Sequence, residues 1–193
     1  SQWAALAAIV AVKTGRPAKF RLDRDDDMVM TGKRHDFIVD YDVGFDDDGR
    51  ICGLDLQYAA NCGFSADLSA AIADRAMFHT DNAYYLGDVE IRSYRCKTNL
   101  VSNTAFRGFG GPQGMLGIER VMDHAARVLG LDGAEVRRRN YYDERVEGGS
   151  APRPAAAPQD ISGQKTARAR WCWLWPLVPA CVKGSETVFR GRS

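Results

Sequence analysis

Between Asn103 and Gly114 the chain reads NTAFRGFGGPQG and then passes straight into a long amphipathic stretch. From Gln113 to Leu129, the residues Met115, Ile118, Val121, Met122, Ala125, Ala126, Val128 and Leu129 share one broad helical face. Glu119, Arg120, Asp123 and Arg127 fall on the other. A helix of this kind must bury its apolar face against a second layer, and Pro112 suits its first position. Glycines ahead of a helix remove Cβ atoms and let backbone N–H groups approach a ligand. The helix N-terminus adds a partial positive charge, so the loop suits an anion or an oxo group. A purely structural turn is the competing reading. The loop is no dinucleotide fingerprint, since Gln113 stands where the third glycine belongs, and it lacks the G-K-[ST] of a P-loop. Arg107 and Phe109 add a fixed charge and a stacking face to it.

The remaining pattern supplies the second layer. Asp36–Phe45 and Ile51–Ala59 alternate in strand fashion around Asp46-Asp47-Asp48-Gly49, which predicts a β-hairpin. Ala18–Asp23 and Val89–Lys97 read as further strands. The acidic runs Arg24–Asp27 and Asp46–Asp48 lack a Ca²⁺-loop pattern and read as solvated turns. A short helix is expected over Ala134–Asn140, capped by Asp132. Trp3–Val12 is apolar on all sides and ends in Lys13, Gly15 and Pro17, which predicts a buried core helix, too short to span a bilayer. If Asp67–His79 is helical, Arg75 shares a stripe with Leu68, Ala71, Ile72 and His79. A guanidinium in an apolar stripe either faces a ligand or escapes by snorkelling or by pairing with Asp67 or Asp74. Strands and helices mixed without regular βαβ alternation indicate an α+β fold with a β-hairpin and packed helices.

Charge divides the chain. Residues 1–150 carry 19 basic and 23 acidic side chains, and residues 151–193 carry 7 and 2, so the overall +1 averages two unlike segments. The balance argues against nucleic-acid binding. From about Gly148 the chain turns Pro- and Trp-rich and basic. SAPRPAAAP reads as a linker, and Trp171–Val182 is apolar, short and aperiodic, so no membrane span is expected. Cys52, Cys62, Cys96, Cys172 and Cys181 show no C-x-x-C and no zinc-ligand spacing; they read as free thiols of a cytoplasmic protein. His35, His79 and His124 lie far apart. No metal site made of the chain's own side chains is expected.

Four segments carry a resemblance: NTAFRGFGGPQG, DRAMFHTDNAYY, TGRPAKFRLDRDDDM and MTGKRHDFIVDYDVGF. Together they resemble the large, molybdopterin-binding subunit of xanthine dehydrogenases, members of the molybdenum hydroxylase family, most closely the bacterial type with separate subunits. The resemblance runs from Ser1 to about Arg145. It implies a molybdenum–molybdopterin cofactor, with FAD and [2Fe-2S] clusters on other subunits or domains. A purine, hypoxanthine or xanthine, would be hydroxylated toward urate, with a small FAD and iron–sulfur subunit as partner in a hetero-oligomer. It further implies that the backbone of Arg107 and Gly108 approaches the molybdenum ligands. Phe109 would pack on the purine, and Arg75 would grip a purine oxygen and stabilise charge developing during attack. Relatives acting on aldehydes or carbon monoxide differ in the glycine loop and at the position of Arg75, which favours the purine branch. An aldehyde-oxidising relative, an inactive remnant and a surface- or membrane-associating module are the alternatives.

The departures concern extent. The family's upstream glycine-rich loop and its downstream half, with the glutamate base, have no counterpart here, so residues 1–147 read as a fragment of the molybdopterin-binding domain. Residues 148–193 match nothing in the family and read as an irregular, disordered or frameshifted tail. Translating the encoding DNA in the other two frames is expected to restore a family-like continuation; if neither frame does, the tail is genuine coding sequence.

Overall fold

The computed structural model describes residues 2–142, 165–172 and 186–191. It falls into two units, Ser1–Gly32 and Lys33–Ser193. In the first, α1 (Gln2–Thr14) ends at Gly15, whose φ of 65° is the left-handed closure expected there. No residue of α1 is buried, and Val12 is 84% exposed, against the expectation of a core helix. All-round apolarity states what a helix needs, and burial also requires a covering surface. Ala18–Asp23 is not a strand; Trp3 instead stacks on Phe20 with centroids 5.2 Å apart. Arg24–Asp27 is not a turn but the start of α2 (Arg24–Met30), where Asp23 caps the Asp25 amide and three acidic residues meet the positive end of the helix.

In the second unit, β1 (Phe37–Phe45) and β2 (Ile51–Gly63) form the expected antiparallel hairpin. Alternate residues of β1 are buried throughout, so its period of two translates directly into one core face. The Asp46 carboxylate closes the turn by accepting from the Arg50 amide at 2.8 Å. β2 continues past the predicted end and pairs in parallel with β3 (Asp88–Lys97), the crossover being α3 (Ser69–Phe78). Nothing in the tail announces strands, yet β4 (Lys165–Cys172) runs along β1 and β5 (Glu186–Gly191) along β3, giving the sheet order β4-β1-β2-β3-β5. A sheet edge offers backbone groups to any segment that reaches it, whatever its side-chain alternation. SAPRPAAAP and most of Trp171–Val182 lie outside the described residues. Cys52 and Cys62 are free, but Cys96 is disulfide-bonded, contrary to the free-thiol expectation; such pairing is chosen by proximity in the fold, which sequence spacing does not reveal.

The amphipathic stretch is α4 (Gly111–Leu129), and the capped helix is α5 (Gly133–Asn140), with Asp132 accepting from the Ala134 and Glu135 amides. α4 buries Ile118, Val121, Met122, Ala125 and Ala126 as predicted, but Met115 and Val128 are exposed and Gly114 and Gly117 are buried in the stripe. The cause is close approach. A Cβ on Gly114 would lie 2.1 Å from the Ala76 carbonyl of α3, and one on Gly117 would lie 2.6 Å from the Tyr58 hydroxyl. Tyr58, fully buried on β2, bonds to Thr80 Oγ1 at 3.0 Å and donates to the Gly114 carbonyl at 3.2 Å. Desolvation pushes its phenol far above the ordinary range, so it remains a neutral donor.

Gly114→Ala is therefore expected to cost about 1–3 kcal/mol in urea denaturation, because backbone must yield. Tyr58→Phe should cost about 1 kcal/mol, because the buried hydroxyl's bonds to Thr80 and the Gly114 carbonyl are lost. An unchanged midpoint in both variants would contradict this packing.

Candidate functional site

α3 turns Ser69, Ile72, Ala73, Ala76 and Met77 inward. Arg75 is exposed, as are Leu68 and Ala71, whereas Ile72 is buried, so the predicted stripe is split and Arg75 is not a buried cation. Nor does it pair with either carboxylate that sequence offered. Arg95, on β3 and only 8% exposed, takes Asp74, and the Thr104 hydroxyl donates to Asp67 at 2.5 Å. That bond, aided by the Leu68 amide, holds the Asp67 carboxyl below its ordinary range. Among the described residues the Arg75 guanidinium has no ion pair.

The glycine loop lands on the same turn of α3. A Cβ on Gly110 would lie 2.0 Å from the Ile72 carbonyl oxygen and 3.2 Å from the Ala76 nitrogen, so loop and helix touch backbone to backbone. Gly108, Phe109 and Gly110 all have positive φ, at 88°, 49° and 95°. For Phe109 that conformation costs on the order of 1 kcal/mol or more and must be held by its surroundings. Gly110 is the helix N-cap and Gly111 the first helical residue, which puts Pro112 one position further in than the predicted N1. The amides of Arg107, Gly108 and Gly110 have no backbone acceptor among the described residues. The loop thus ends, at Gly110, on the turn of α3 that carries Arg75, with Arg107, Gly108 and Phe109 directly preceding that contact.

What fastens the loop is a segment that sequence patterns did not single out, Lys33–His35. Buried Asn103 accepts from the Lys33 amide at 3.2 Å and donates to the Asn61 carbonyl at 3.0 Å. The Thr104 amide bonds to the Lys33 carbonyl at 3.0 Å. Arg34 donates to the Arg107 carbonyl at 2.6 Å, and Gln113 donates to the His35 carbonyl at 3.3 Å. His35 is buried, with Nε2 2.7 Å from Ser69 Oγ at the start of α3. Burial depresses its pKa, opposed mainly by nearby Asp67. The only available sequence signal was the presence of these residues inside the matched segments. A cavity of about 240 Å³ lies between β1 and the first half of α4, lined by Phe37, Val39, Tyr41 and Leu116 and by Arg34 and Gln113.

Among the described residues no group of three or more His, Cys, Asp or Glu is placed to hold a metal ion, and no helix is long and apolar enough to cross a membrane.

The sequence matches the family described as "Molybdopterin cofactor-binding domain" over residues 1–141. It is 52% identical over 139 residues to a xanthine dehydrogenase/oxidase of Gallus gallus, an alignment covering 72% of this chain and 10% of that protein. It is 49% identical over 154 residues to that of Mus musculus, covering 76% and 12%. The chain spans about a tenth of the length of these relatives. Among solved structures, the aldehyde oxidoreductase from Desulfovibrio gigas superposes with a TM-score of 0.63 at 28% identity, covering 73% of this chain and 16% of that one.

Acidification below pH 6.5, the ordinary imidazole value, is expected to lower the melting temperature. In that range the unfolded chain takes up protons that the folded chain refuses, because burial depresses both His35 and His124. His35→Gln should flatten the slope measured between pH 7.5 and 5. A slope identical to that of the unmodified chain would assign the dependence elsewhere.

Proposed function

The chain belongs to the molybdopterin cofactor-binding domain family, and on that premise we propose that its glycine loop and Arg75 form one wall of the molybdenum and purine pocket of a xanthine dehydrogenase-type hydroxylase. The proposal extends to the chain's extent: residues 1–147 are a piece of that domain, and the remaining machinery, including the glutamate base and the FAD and iron–sulfur carriers, lies outside these 193 residues. The observation that carries it is the seating of Gly110 on α3 at Ile72 and Ala76, which joins the loop to the turn bearing Arg75.

The residues present fit the cofactor. Gly108 is exposed, its amide has no backbone acceptor among the described residues, and a 19-residue helix starts three positions later. Such donors at the positive end of a helix suit oxygen and sulfur ligands of high electron density. The backbone of Arg107 and Gly108 would hold the cofactor, which when bound supplies the two-electron redox chemistry of hydroxylation. Phe109, at φ 49° between two glycines, offers an aromatic face in the loop, suited to stacking on a flat heterocycle. Arg75 keeps its charge available because Asp67 and Asp74 are engaged by other residues. A guanidinium so placed donates up to two hydrogen bonds to a purine oxygen and stabilises the negative charge that grows there during attack. The identity to xanthine dehydrogenases at 52%, against 28% to the aldehyde oxidoreductase, favours the purine over the aldehyde branch.

In the complete enzyme that contains this segment, Arg75→Met should lower kcat for xanthine by about 10²–10³-fold, the range for losing one oxyanion donor. Molybdenum content should stay unchanged. A kcat equal to that of the unmodified enzyme would leave Arg75 without a catalytic role. The 193-residue chain by itself is expected to bind no molybdenum and to reduce no dye with xanthine.

A further inference from the structure

We propose that Arg34 is a positioning residue that sets the direction in which the Gly108 amide points. This rests on the assignment of the loop to the cofactor, but the clamp itself is read from geometry.

Arg34 reaches the loop on both sides of its left-handed turn. One guanidinium nitrogen donates to the Arg107 carbonyl at 2.6 Å, the other lies 3.5 Å from Gln113 Oε1, and the guanidinium carbon sits 4.6 Å from the centroid of the Phe106 ring. These contacts bracket Gly108–Gly110, the three residues with positive φ. The peptide joining Arg107 to Gly108 is trans. In a trans peptide C=O and N–H point in opposite directions. Pinning the Arg107 oxygen on the Lys33–His35 side therefore aims the Gly108 N–H away from it. Glycine accepts either sign of φ at little cost, so this peptide could otherwise rotate and present its oxygen where its N–H belongs.

Arg34 is itself held in place. Lys33 bonds through both amide and carbonyl to the loop entry at Asn103 and Thr104, and the His35 carbonyl accepts from Gln113 at the loop exit. The backbone on either side of Arg34 is thus fastened to the same loop that its side chain spans. A lysine could supply the charge, but not the planar fork that bonds a carbonyl while lying over a ring.

The test uses the complete enzyme with Arg34→Ala, Arg34→Lys and, as a charge-loss control, Arg138→Ala, whose partner Glu135 lies on α5. The first readout is amide hydrogen exchange across residues 105–111. Arg34→Ala should raise it at least tenfold, Arg34→Lys by less, and Arg138→Ala not at all. The second is the electron paramagnetic resonance signal of the reduced molybdenum together with the kinetic constants. Both Arg34 variants should alter the signal and lower kcat with little change in KM, at normal molybdenum content. If Arg34→Ala fails to fold, Arg34→Lys carries both readouts. Exchange equal to that of the unmodified enzyme overturns the clamp. Faster exchange with an unaltered signal overturns the aiming of the amide toward the cofactor. Failure of the proposed function is separately visible, as an Arg75→Met variant with unimpaired kcat or an unmodified enzyme devoid of molybdenum.

Discussion

The backbone contact between α3 and α4 is the constraint on which the rest of the second unit depends. Gly110 and Gly114 lie against the carbonyls of Ile72 and Ala76, with no room for a Cβ at either position. At that separation the helices leave no space for side chains between them, so the hydroxyl of Tyr58 rises from β2 to satisfy the polar groups beneath: the Gly114 carbonyl and Thr80. Sheet, crossover helix and long helix are thereby locked at one point. Because Gly110 is also the last residue of the loop, the same contact anchors the end of Arg107–Phe109 to the turn of Arg75. A core-packing requirement and a site-building requirement are met by one glycine.

This bears on whether the glycines are structural or ligand-binding, which turn out to be compatible roles divided among residues. Gly110 and Gly114 are explained by the approach of α3. Gly108 is required by the turn itself, with φ at 88° and a Cβ there 2.5 Å from the Pro112 ring, but its amide has no backbone acceptor among the described residues. What packing leaves over is that amide, the group the cofactor account uses.

Periodicity made the hairpin, β3, α4 and α5 legible, because each buries one face of a single sheet–helix core and alternation records that directly. It misplaced Arg75, because the inward stripe of α3 is built largely from Ser69, Ala73 and Ala76, small residues that carry little hydrophobic signal, while Leu68 and Ala71 face outward. It was silent on Arg34, whose acceptor lies 73 residues away, and on the Arg95–Asp74 pair across 21 residues. Such partners are chosen by topology. A charged residue in a loop looks the same in sequence whether it is solvated or spans a strained turn.

Arg95 and Thr104 then acquire a meaning beyond stability. An exposed arginine next to one carboxylate and eight residues from another could spend its charge on either, and a substrate oxygen would then have to compete for it. Here Asp74 is drawn toward the sheet by a nearly buried guanidinium, and Asp67 is bonded by a hydroxyl at the loop entry. Their effect is to deny Arg75 its local partners, so that its field is directed outward without a neutralising neighbour. The two residues that do this are on β3 and in the glycine loop, the same elements that pack against α3, so the charge is left unpaired only when the fold is assembled.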